Sequence, residues 1–214
     1  MFVLFGLNFW HNARMTHRVL SALFAVTFLV SPVDAQVAKD AATIEVAPAA
    51  PVDPVQKRAE DFDRLFGELH KSGVNNPGAT IAKIWTLWER NDSPMAEVLL
   101  TQSNKAMQDG AFETAEAMLN ELIGSYPEYS EALNKRAKLY YNMKRYDEAL
   151  DDVNAVLENE PRHFGALTGQ AAIYQAQGNA SKAAASLREA IAVNPHLQTA
   201  KDALKQLEHD FPNI

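Results

Sequence analysis

Three prolines, Pro127, Pro161 and Pro195, stand 34 residues apart twice over. A fixed period of this length marks a chain built from stacked supersecondary units, each touching mainly its neighbours. With proline at position 32, units begin at Ala96, Ser130 and Phe164, and position 4 becomes Leu99, Leu133 and Leu167. Position 20 is then Ala115, Ala149 and Ala183; position 24 is Leu119, Val153 and Leu187; position 27 is Leu122, Val156 and Ala190.

Small residues at position 20 let the second helix of a unit approach the first closely, where a larger side chain would overpack. Position 15 is a turn that wants a left-handed residue. Gly110 and Gly178 supply it, but the second unit carries Lys144. A non-glycine residue there costs about 1 kcal/mol, small enough for the packing of Tyr140, Tyr146 and Ala149 to absorb.

The register resembles the tetratricopeptide repeat family, whose 34-residue unit is a helix-turn-helix with small residues at positions 8 and 20 and proline at 32. The second unit matches best, with Ala137, Tyr140, Tyr146 and Ala149 on positions 8, 11, 17 and 20. No run alternates with period two, so the expected class is all-α, and the resemblance implies a right-handed superhelix of repeats. The repeats span 96–129, 130–163 and 164–197. After Pro195, Leu197, Ala200, Leu204 and Leu207 form one apolar face, and residues 198–211 suit a capping helix.

Upstream, Ala59, Phe62, Leu65, Phe66 and Leu69 share a helical face, KSGVNNPG interrupts it, and Ile81, Ile84, Trp85 and Trp88 resume it. Residues 55–95 are therefore a helical hairpin. One period back in the register, Leu65, Leu69, Ile81, Trp85 and Trp88 take positions 4, 8, 20, 24 and 27, a degenerate repeat whose aromatics are core.

Residues 36–54, rich in Ala, Val and Pro, predict an extended linker. Before it, Arg14 and Arg18 precede the 12-residue apolar run Val19 to Val30 and then SPVDA, the layout of a secretory signal peptide over 1–35 cleaved after Ala35. Translation starts at Met1 or, giving a more compact leader, at Met15. The expected location is the bacterial periplasm; an uncleaved leader would instead attach the repeats to the membrane. Cleavage removes Arg14, Arg18 and Asp34 and takes the formal charge from −7 to −8.

That charge disfavours nucleic acid, whose affinity comes largely from Lys and Arg at phosphates. With no cysteine, disulfides, thiolate nucleophiles and Cys-ligated zinc are excluded. The acids Asp147, Glu148, Asp151, Asp152, Glu158 and Glu160 lack the spacing of a calcium loop. The register turns Ala149, Val153 and Val156 inward and leaves 148, 151 and 152 facing solvent. No HExxH, GxSxG or phosphate-loop pattern occurs, and His163 at a repeat junction is expected to be exposed. No catalytic residue, metal or cofactor is expected, and an envelope enzyme is the lesser alternative.

The resemblance implies a concave face lined by first-helix positions 2, 5, 9, 12 and 13. Those positions place Glu97, Leu100, Asn104, Met107 and Gln108 in the first repeat; Glu131, Asn134, Lys138, Tyr141 and Asn142 in the second; and Thr168 and Gln175 with Gly165, Ala172 and Ala176 in the third. Amides to bond a backbone and apolar groups to take side chains suit an extended peptide or short helix. The lysine and asparagine clamp with which some family members hold a chaperone's C-terminal carboxylate is missing from the third repeat. The expectation is a non-catalytic protein-binding scaffold, serving envelope assembly or integrity as similar small exported repeat proteins do, with self-association through a terminal repeat as a further possibility.

Overall fold

Helix starts and stops are written into the chain in a regular code. Asp53, Asn76 and Ser93 each accept a backbone N–H with their side chains, and each is followed by a proline at the first helical position. Cap and proline together satisfy or remove donors that a helix N-terminus leaves unpaired. These signals open α1 (Pro54–Leu69), α2 (Pro77–Glu89) and α3 (Pro94–Gln108). Next come α4 (Phe112–Ser125), α5 (Ser130–Asn142), α6 (Tyr146–Asn159), α7 (Phe164–Ala176), α8 (Ala180–Val193) and α9 (Gln198–Asp210). This computed structural model describes residues 53–214 except 72, 74 and 75, and among them there are nine helices and no strand. The signal peptide over 1–35 and nearly all of the linker over 36–54 lie outside the described residues. Asp53 and Pro54, expected in the linker, open α1 instead, because an Asp–Pro pair is a helix start.

Helices α3 to α8 form three antiparallel pairs stacked side by side, with α9 closing the last one. Ala115, Ala149 and Ala183 are fully buried, and so are Leu119, Leu122 and Val156. Position 8 is Ser103, Ala137 and Ala171, all buried, and the Ser103 hydroxyl donates to Leu100 O at 2.8 Å so that its burial leaves no unpaired donor. Ala200 and Leu207 of α9 cover Ala183, Ala184 and Leu187, the face the third pair would otherwise expose.

The turn inside each pair has one geometry three times. The N–H groups of Ala111, Arg145 and Asn179 return to Ala106, Tyr140 and Tyr174 at 2.8 Å each, around Gly110, Lys144 and Gly178 at φ 75°, 60° and 75°. Lys144 thus holds the left-handed conformation that glycine holds in its neighbours. Lys144→Gly is expected to stabilise the protein by up to about 1 kcal/mol, and Gly110→Ala to destabilise it by about as much. Urea unfolding would check both.

A polar ladder ties neighbouring pairs together. From position 7, Arg136 donates twice to Asp152 (2.8 and 2.6 Å) and once to Asn120 (2.8 Å). One repeat later Gln170 accepts from Ser186 and donates to Asn154, at the equivalent positions. Asp152 is therefore buried at 5% exposure, against the expectation that it faces solvent, because the Arg136 fork reaches across from the first helix and compensates its carboxylate. Glu148 and Asp151 are exposed as expected, and Asp147 is exposed beside them.

The hairpin α1–α2 departs from repeat stacking. Large residues, Leu69 and Ile81, occupy its positions 8 and 20, so its helices cannot close as the repeats do, and its aromatic face needs cover from elsewhere. It lies along the row of turns between repeats. Phe62, Leu65, Phe66, Leu69, Ile84 and Trp88 form one core with Phe164, flanked by Val193 and Leu197. Arg162 pairs with Asp63 at 2.7 Å, the His196 ring with Leu69 O at 2.9 Å, and the Tyr129 hydroxyl donates to Glu89 O. The tryptophans are core, as their spacing implies, but the core is shared with the third repeat.

Candidate functional site

The concave side has two depressions, and α2 forms a wall of each. One, of about 390 Å³, lies between α5 and α7: Asn134, Lys138, Tyr141 and Thr168 line it together with Lys135, Gly165, Gly169, Ala172 and the edge of Trp85. The other, of about 320 Å³, joins Glu97, Leu100 and Asn104 of α3 to Thr86 and Glu89 of α2. A wider cleft of about 770 Å³ sits where Val55 and Arg58 meet the turn around Pro127, and holds none of the expected groove residues.

Seven of the twelve expected binding residues thus line the two depressions. Met107 packs against the core of the first repeat instead, and Gln108, Asn142 and Gln175 are exposed outside both. The remaining one, Glu131, is fully buried and is a structural group in this state. Trp85, Thr86 and Glu89 were not expected in the groove, because a repeat register cannot show a wall contributed by a hairpin outside it.

Tyr141 is 37% exposed, its ring 5.8 Å from that of Tyr146, and it offers an apolar face with a hydroxyl at the rim. Lys138 is exposed and makes no ion pair within 4 Å among the described residues. The Asn134 amide is partly committed, donating to Glu131 at 2.9 Å, and the Thr168 hydroxyl donates to Gly165 O. Gly165 and Gly169 keep the α7 floor low. The floor is apolar, with Lys138, the ion-paired Lys135 and several amide or hydroxyl groups along its edge.

Under the inner edge of α2 lies a buried polar cluster. His163, expected to be exposed, is fully buried, because Trp88 stacks on its ring at 3.9 Å and 16°. Its Nδ1 accepts the Ala166 N–H as the N-cap of α7, so Nε2 carries the hydrogen and faces Glu131 Oε2 at 3.3 Å. The other Glu131 oxygen pairs with the Lys135 ammonium at 2.8 Å, with poor hydrogen-bond direction. Burial alone would push the Glu131 carboxyl up, but the His163 hydrogen bond and the Lys135 charge outweigh it and hold the group below its ordinary value. At the far end of the hairpin, both His70 ring nitrogens face carbonyl oxygens, Phe66 O at 2.8 Å and Ala192 O at 2.9 Å. Both must donate to satisfy them, so the hydrogen bonds to Phe66 and then Ala192 raise its pKa. Burial pushes the Tyr129 phenol well up, with Glu131 adding to it.

No group of three potential metal ligands occurs among the described residues, and no helix among them is long and apolar enough to cross a membrane. Geometry of this kind, helix pairs stacked into an array with a concave face, defines a helical-repeat protein. A family model described as tetratricopeptide repeat matches residues 106–173. A TPR repeat-containing protein of Rhizobium etli is 30% identical over 199 residues, which cover 92% of this chain and 95% of that protein. The chain belongs to the tetratricopeptide repeat family. Mouse sperm-associated antigen 1 is 29% identical over 165 residues, 74% of this chain but 18% of that much longer protein. Among solved structures, the first TPR of Spaghetti (RPAP3) bound to the HSP90 peptide SRMEEVD aligns over 57% of this chain and 97% of its own, with TM-score 0.54 and 20% identity. A MamA RS-1 double mutant aligns over 73% and 86%, with TM-score 0.51 and 17% identity. At these identities the likeness is one of fold.

Proposed function

We propose that the protein is a binding scaffold of the bacterial periplasm, without catalysis of its own, that holds a peptide or short helix of another protein in the concave groove and so supports envelope assembly or integrity. The depression between α5 and α7 carries this reading. Its floor of Gly169 and Ala172 leaves room for side chains, and Tyr141, Lys138, Asn134 and Thr168 stand along it to orient a backbone. Peptide binding in the Spaghetti structure is a property of that protein, and it supports the same use of the same fold here. The apolar run before Ala35 supports export.

A photo-crosslinking residue at Tyr141, in cells, tests the reading. Capture of one protein from Tyr141 and from Asn104, but not from the convex Asp151, is expected, with the recovered chain beginning at Gln36. Equal capture from all three positions would sink the groove assignment, and a chain retained in the cytoplasm would sink the location.

A further inference from the structure

We infer that the start of α7, with His163, Phe164 and Gly165, is a docking site for a helix carrying two aromatic residues three positions apart, that α2 is its resident occupant, and that a partner helix of this chemistry enters by replacing it. The inference gives the partner of the proposed scaffold a chemistry and so rests on that reading for its biological role.

The fit of α2 defines the site. Trp88 lies flat on the His163 imidazole, while Trp85 meets His163 and Phe164 edge-on at 5.6 Å each. A Cβ at Gly165 would stand 2.5 Å from Trp85 Cη2, so glycine is what admits that ring. Aromatic residues at i and i+3 project from one side of a helix, and a flat imidazole, a phenyl ring and a glycine notch receive them.

Other observations make this occupant replaceable. The Trp88 indole N–H is buried without a partner, so the docked state leaves a donor unsatisfied that undocking returns to water. Beyond single hydrogen bonds from Tyr129 to Glu89 O, His196 to Leu69 O and His70 to Ala192 O, the hairpin's polar ties to the repeats are two ion pairs: Arg162 to Asp63, with side chains 44% and 71% exposed, and Lys135 to Glu89 at 3.7 Å. Exposed pairs of this kind hold weakly. Only Arg90 to Ser93 joins α2 to α3, so the hairpin can leave without unwinding a repeat helix. Its leaving would expose Phe164, which favours exchange for another apolar helix over exchange for water.

The test uses the whole chain and a fluorescein-labelled synthetic peptide of residues 77–89. A tethered α2 competes at millimolar effective concentration. The double variant Trp85→Ala/Trp88→Ala, which weakens the resident, is therefore expected to take up the peptide at least tenfold more tightly than the unaltered protein. The same peptide with both tryptophans changed to alanine should not bind. Equal binding by both proteins, or no binding by a double variant that keeps its helical circular dichroism, overturns the inference. Should that variant lose its fold, hydrogen exchange on the unaltered protein decides: α2 amides are expected to exchange through a local opening well before those of α5 to α8, and exchange only through global unfolding overturns it. Peptide uptake without a captured partner at Tyr141 would defeat the scaffold reading alone, and capture without uptake would defeat this one alone.

Discussion

Trp88→Ala is expected to cost about 3–5 kcal/mol, the range for truncating a fully buried large aromatic side chain. Trp88 is 1% exposed and touches five rings from three places in the chain: Phe62 and Phe66 of α1, Trp85 of its own helix, and His163 and Phe164 at the junction of the second and third repeats. No neighbour is positioned to collapse into the space, since Phe164 and His163 are fixed by the register of α7. The loss falls on the hairpin and its seat, so denaturant unfolding followed by circular dichroism should show an early transition of α1 and α2 before the repeats melt. Trp88→Phe separates packing from hydrogen bonding: it keeps most of the ring contact and removes the unpartnered N–H, so it should cost less than about 1.5 kcal/mol. A loss below about 1 kcal/mol for the alanine variant would mean that the hairpin is not held by this ring.

The repeats were legible because their determinants are local. Ala115, Ala149 and Ala183 recur at one position because helix approach demands a small residue there, and Gly110, Lys144 and Gly178 recur at a turn whose φ is positive whatever the residue. A 34-residue register captures contacts made within a unit or with the next one. The seat of the hairpin was not legible for the same reason. Arg162 meets Asp63 across 99 residues and His196 meets Leu69 across 127, separations to which the register assigns no partner. His163 illustrates the consequence: at position 34 the repeat alone would leave it on a turn, and only a tryptophan from outside the array buries it. Asp152 failed differently, since its partner was within reach of the register. Arg136 precedes it by 16 residues, and Gln170 precedes Ser186 by the same number. A basic or amide residue at position 7 opposite a polar residue at position 23 is a pattern a reader of the sequence could have used. Of the groove, the α5 and α7 residues Asn134, Lys138, Tyr141 and Thr168 were readable by family position, whereas the α2 wall had to be seen.

Glu131→Ala is expected to cost about 3 kcal/mol, the low end of the range for removing one member of a buried ion pair. The alanine leaves the buried His163 N–H without an acceptor and the Lys135 ammonium without its main counter-charge. The cost stays at the low end because the Lys135 side chain is 20% exposed and can turn toward Glu89, already 3.7 Å away. Glu131→Gln keeps an acceptor for His163 and should cost about 1–2 kcal/mol, nearer a charged hydrogen bond than a cavity. Acid separates these variants from the unaltered protein. A carboxyl held below its ordinary value in the folded state contributes stability that is fully present above the unfolded value, near 4.5, and is lost as pH falls through the folded one. The unaltered protein should therefore lose stability below that pH along a limb that Glu131→Gln flattens, while both keep the part due to other carboxylates. Parallel acid limbs for the two proteins would show that Glu131 is not the group that His163 and Lys135 stabilise. Because Glu131 is hydrogen-bonded to the imidazole on which Trp88 stacks, the same protonation should loosen the hairpin first, so acid-induced change in tryptophan fluorescence should precede loss of helical circular dichroism.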